Sequence, residues 1–95
     1  MIEEIFKTSK KIVNKRNISS ILIYLMEEVG ELATEVNIKN GHSFKEEGKD
    51  GITGEAIDVI LCAADLIYVN NPNITKEEIN SIIEKKLDKW KSKYS

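Results

Sequence analysis

Apolar residues recur every three or four positions through most of this 95-residue chain, the spacing that lines one face of an α-helix. The first such run covers about residues 2–15, with Ile2, Ile5, Phe6, Ser9, Ile12 and Val13 on one side and Lys7, Lys10, Lys11 and Lys15 on the other. Asn14 to Ser20 reads as a turn that supplies capping side chains to the next helix. That second helix is predicted from Ser19 or Ser20 to Ile38, its apolar face formed by Ile21, Leu22, Leu25, Val29, Leu32, Ala33 and Val36. Residues 39–53 (KNGHSFKEEGKDGIT) hold three glycines and no sustained period, which predicts a loop, and a long one for a connection. A third helix is expected to start near Thr53, read as its N-cap, and to stop before Asn70-Asn71-Pro72. The fourth opens on a T-x-x-E capping box, Thr75 to Glu78, and runs to about Lys93 with Ile79, Ile82, Ile83, Leu87 and Trp90 inward.

These elements predict an all-α fold, a small bundle of about four helices forming one domain over residues 1–95. The third helix is apolar on nearly every side, with Glu55, Asp58 and Asp65 as its only charges. Such a helix belongs inside a structure, and a chain this small has little with which to cover it. Self-association is therefore expected, as a homodimer or homotetramer. Gly30 costs the second helix about 1 kcal/mol relative to Ala, so a helix or ligand is expected to approach closely beside Glu28 and Glu31.

Composition narrows the functional classes. The 41% hydrophobic and 32% charged content is that of a globular domain. One cysteine, Cys62, excludes an internal disulfide and suits a reducing compartment. There is no run of 18 apolar residues, and the first residues, MIEEIFKTSKK, lack the apolar core of a signal peptide. A cytoplasmic location without membrane contact is expected. The net charge of −2 is unevenly spread, at +3 over residues 1–16, −6 over residues 27–58 and +4 over residues 85–93. No overall basic footprint for a nucleic-acid polymer exists, whereas an acidic centre between basic ends suits a metal site that works on a polyanion.

The acidic centre has a pattern. On a helical wheel Glu27, Glu28, Glu31 and Glu35 fall within an arc of about 100°, and Glu55 and Asp58 lie one turn apart on the third helix. Two such helices packed face to face gather carboxylates that repel one another unless a cation lies between them. Oxygen ligands of this kind select a hard divalent ion, Mg²⁺ or Mn²⁺. Glu55, Asp58, Cys62 and Asp65 share an arc of about 80°. Cys62 is read as a small buried hydrophobe, and Asp65 as lining the site or bonding a neighbouring helix. His42 is the only histidine and has no second His or Cys nearby, which argues against zinc. Phe44 is either an anchor of the loop or a surface for a base to stack on. Lys86, Lys89 and Lys93 follow helical spacing, where they complement the helix dipole or form a phosphate-binding arm.

Glu28-Val29-Gly30-Glu31, preceded by Glu27 and followed by Glu55-Ala56-Ile57-Asp58, resembles the two motifs of the MazG-like all-α nucleoside triphosphate pyrophosphohydrolases. The resemblance covers roughly residues 20–93, through the phrases EEVGELATE and GEAIDVILCAADLI. It implies Mg²⁺-dependent cleavage between the α- and β-phosphates of a nucleoside triphosphate, releasing a monophosphate and pyrophosphate, in nucleotide-pool housekeeping. Carried over, Glu28, Glu31, Glu55 and Asp58 are the metal ligands and Glu27 an auxiliary carboxylate. Lys89 and Lys93 stand where the family keeps basic residues for the substrate phosphates. Where that family often has an Asn and an Arg in its terminal segment, this chain has only lysines around Leu87 and Trp90. A non-catalytic helical assembly or regulatory module of the same fold is the alternative; the complete carboxylate set argues against it, since drift would lose a buried charge first. A ferritin-like di-iron bundle requires Glu-x-x-His, and no histidine follows any of these glutamates by three residues.

Overall fold

Capping side chains set where two of the helices begin. In the computed structural model, which describes residues 1–12 and 15–94, Asn17 Oδ1 accepts the Ser20 N–H at 2.8 Å and Ser20 Oγ accepts the Asn17 N–H at 3.1 Å. This reciprocal pair opens α2 (Ile18–Lys39). Thr75 and Glu78 make the same exchange, both bonds at 3.1 Å, at the start of α4 (Lys76–Lys93), as the T-x-x-E pattern predicts. With α1 (Ile2–Lys11) and α3 (Gly51–Asn70) the described residues hold four helices and no strand, so the chain is all-α.

Two boundaries differ most from the sequence expectation. The first helix ends at Lys11, where Ile12 turns to extended backbone (φ −73°, ψ 115°). Val13 and Asn14, assigned to the helix and the following turn, lie outside the described residues. α3 begins at Gly51 rather than at Thr53, which sits inside the first turn and is not the N-cap. Gly51 has φ +60°, a left-handed conformation that costs glycine little, and this lets the chain enter the helix early.

α2 and α3 form an antiparallel hairpin. Ile18 at the start of α2 shares a groove with Asn70 at the end of α3, and Glu35 in the last turns of α2 reaches Gly48 just before α3. α1 crosses α3, with the Phe6 and Tyr68 rings 5.7 Å apart. α4 packs extensively on none of the others. Its first turns hold it, through buried Ile79 and an exposed ion pair between Lys76 and Glu3 at 2.8 Å.

The resulting core is thin. Among the described residues Ile21, Ala64 and Ile79 are the buried hydrophobic ones, and no side chain is fully enclosed. The radius of gyration is 15.8 Å, against about 12 Å for a compact chain of this length. The accessible surface is 7741 Å², where a compact monomer of 10.8 kDa would expose about 5,500 Å². Within one chain, Ile82, Ile83, Leu87 and Trp90 do not face inward as their spacing predicts, because α4 projects away and leaves them in solvent. Nor is α3 covered on all sides: Ile57, Ile60, Leu61 and Ile67 remain exposed. No neighbour comes close to Gly30, so the close approach expected there does not occur in a single chain.

Candidate metal centre

Helical periodicity puts Glu28 and Glu31 on neighbouring turns of α2, and the hairpin brings Glu55 of α3 against them. Oxygens of these three carboxylates all lie within 4.8 Å of one another. Glu28 and Glu55 are half-buried and Glu31 is exposed, so the cluster is shielded behind and open in front. Glu28 Oε2 and Glu55 Oε2 are hidden from solvent, and neither has a hydrogen-bond partner among the described residues.

The electrostatics follow from that geometry. Burial comes first in pushing the Glu28 carboxyl above the usual carboxylate range, followed by its hydrogen bond with Glu31 and the charges of Glu31, Asp58 and Glu27. Burial also leads for Glu55, followed by Glu31, Asp58 and Glu28. The charges that act most strongly on these two groups are all other carboxylates. Asp58, half-buried one turn beyond Glu55, and Glu27, exposed beside Glu28, act on the cluster through their charge but stand outside the tight group of three. An all-oxygen, uncompensated donor set with shielded orphan oxygens fits a hard divalent cation, with open positions on the exposed side.

The remaining predicted residues are spread out. Lys89 and Lys93 lie on the exposed outer half of α4 and are not brought to the carboxylates within one chain. A groove of about 690 Å³ along that half is lined by Leu87, Trp90, Lys91 and Tyr94. His42 is exposed, and its backbone N–H donates to Asn37 O at 2.8 Å. Phe44 is wholly exposed and anchors nothing. Cys62 is half-buried rather than fully buried, and burial pushes its thiol up, helped by the charges of Glu28, Asp65 and Asp58.

Asp65 bonds its neighbours rather than lining the cluster. Arg16 grips it with a two-pronged contact, Nε to Oδ2 at 2.8 Å and a terminal guanidinium nitrogen to Oδ1 at 2.6 Å, and Ser9 Oγ donates to the same Oδ1. The guanidinium hydrogen bond holds Asp65 below the usual carboxylate range. Sequence reasoning passed over two residues of consequence, Arg16 and Glu35. Arg16 is the only arginine of the chain, and a lone Asp65 on an apolar helix is the signal that calls for such a partner. Glu35, which the helical wheel places with Glu27, Glu28 and Glu31, stands outside the tight group and is one of the most buried residues, 7% exposed.

No protein-family model matches this chain, and no curated protein or solved structure matches it either.

Proposed function

We propose that this chain is a MazG-like, Mg²⁺-dependent nucleoside triphosphate pyrophosphohydrolase that converts a (d)NTP to the monophosphate and pyrophosphate in the cytoplasmic nucleotide pool. The observation that carries the reading is the convergence of Glu28, Glu31 and Glu55 oxygens within 4.8 Å, with other carboxylates as the strongest charges on Glu28 and Glu55. Glu28, Glu31, Glu55 and Asp58 would hold the ion, Mn²⁺ serving in place of Mg²⁺. A bound divalent ion neutralises phosphate charge and lowers the pKa of a coordinated water. The half-buried Glu28 and Glu55 would supply shielded oxygens to it. Glu27, exposed beside Glu28, would orient a water or bind a second ion.

The active form is a homodimer or homotetramer. One chain exposes about 2,200 Å² more than a compact monomer of its mass, a surplus of the size that obligate interfaces cover. Assembly also supplies what one chain lacks at the cluster, since basic side chains for a triphosphate lie elsewhere on α1 and α4. Among the described residues no helix is long and apolar enough to cross a membrane.

The test is pyrophosphate release from a panel of NTPs and dNTPs, with Mg²⁺ and with EDTA. EDTA-sensitive release of pyrophosphate and monophosphate is expected, with Glu31→Ala losing at least about 100-fold in turnover while its far-UV circular dichroism is unchanged. Release that survives Glu31→Ala overturns the assignment. A helical, Mg²⁺-indifferent chain that assembles but turns over no nucleotide is instead the non-catalytic module.

A further inference from the structure

The connection between α2 and α3 is fastened to α2 in two different ways. At its start, backbone bonds suffice: the N–H groups of Asn40, Gly41 and His42 donate to the carbonyls of Val36, Ile38 and Asn37 at 3.0, 3.0 and 2.8 Å. Beyond Ser43, one hydrogen bond among the described residues ties it to α2, from the Gly48 N–H to Glu35 Oε1 at 2.8 Å. Gly48 passes the constraint on. Its carbonyl accepts from the N–H of Gly51, the first residue of α3, at 3.3 Å. Glu55 follows one helical turn later.

The local chemistry is specific to this contact. A Cβ at position 48 would stand 2.4 Å from Glu35 Oε1, so the approach is one that glycine permits. Glu35 is 7% exposed, and its Oε2 has no partner among the described residues. Burying a carboxylate to accept a single backbone bond is costly. A loop that only had to cross the surface would not need it. The bond also starts from the helix that carries Glu28 and Glu31 and ends at the entry of the helix that carries Glu55.

We propose that Glu35 is a positioning residue: through Gly48 it sets the entry of α3 and so the reach of Glu55 towards Glu28 and Glu31. Its consequence for cation binding rests on the cluster being a metal site, whereas the latch itself does not.

The experiment is residue-resolved amide exchange at Gly48, paired with calorimetric titration by Mg²⁺, on the parent chain and on Glu35→Gln, Glu35→Ala and Gly48→Ala. The parent is expected to protect the Gly48 amide at least about tenfold over an unstructured loop. Glu35→Ala loses that protection and weakens Mg²⁺ by about tenfold, the effect of losing a group that orients a metal ligand. Glu35→Gln keeps a carbonyl oxygen for the Gly48 N–H and retains the protection and most of the affinity. Gly48→Ala reaches the same bond without touching the buried carboxylate, and it reproduces Glu35→Ala while the α2 and α3 amides exchange as in the parent. An unprotected Gly48 in the parent, or Mg²⁺ affinity unchanged in both Glu35→Ala and Gly48→Ala, overturns the proposal. If the parent binds no Mg²⁺, the metal reading fails, and Gly48 exchange alone decides the latch.

Discussion

Asp65, near the end of α3, meets the only arginine of the chain and a serine hydroxyl, whereas Glu55, near the start of the same helix, meets two further carboxylates. One acid is held below its ordinary range by the Arg16 hydrogen bond, the other above it by burial and like charge. The fold thus neutralises a half-buried carboxylate from its own residues at one end and gathers three at the other whose strongest neighbouring charges are again carboxylates. A group that serves stability is supplied with its partner in cis. A group that awaits a ligand is not. The contrast separates a structural ion pair from a candidate site more sharply than the presence of acidic residues does.

The largest effect falls on the satisfied end. Arg16→Ala should lower unfolding free energy by about 2 kcal/mol, less than the 3–5 kcal/mol of a fully buried pair because both partners keep some water contact. Urea denaturation checks this. The acid side of the same pair has a definite sign. Because folding depresses the Asp65 pKa, its contribution is complete above the ordinary aspartate range and is lost as pH falls through about 4 and below. Arg16→Ala should therefore be less sensitive to acid than the parent over that window. A parent and variant with parallel acid profiles would break the comparison.

The other end should respond to a cation. Without Mg²⁺, Glu31→Gln should raise the melting temperature, since it removes a charge that both Glu28 and Glu55 feel. With Mg²⁺ at ten times its Kd, the parent should gain several degrees by mass action and Glu31→Gln nothing. A gain of equal size in both proteins would mean that the ion binds elsewhere. The smallest effect belongs to a third kind of pair, Glu3 with Lys76, which lies in open solvent. Lys76→Ala should leave the melting temperature within experimental error.

What could be read from the sequence was local. Both reciprocal caps depend on residues three apart, and Thr75 with Glu78 announces itself without reference to the rest of the chain. The carboxylates needed only helical period and the assumption that α2 packs on α3. Arg16 was not legible in the same way, because it turns back onto an aspartate 49 positions away. Glu35 shares the wheel arc of half-buried Glu28 and exposed Glu31, and the path of the connection decides that it is buried. The apolar stripe of α4 says that its face wants a cover and is silent on where the cover comes from. Periodicity defines a face; packing defines its partner.

Under the proposed self-association, the projecting α4 makes amount as well as temperature a variable of folding. Its stripe and the open flanks of α3 would then be the faces that another copy covers. The unfolding midpoint is then a function of total chain concentration, and each tenfold dilution of a dimer removes about 1.4 kcal/mol of apparent stability. A chain stripped of its carboxylates keeps that apolar face and would still take up intact copies, so a mixed population reports inactive partners as well as inactive sites.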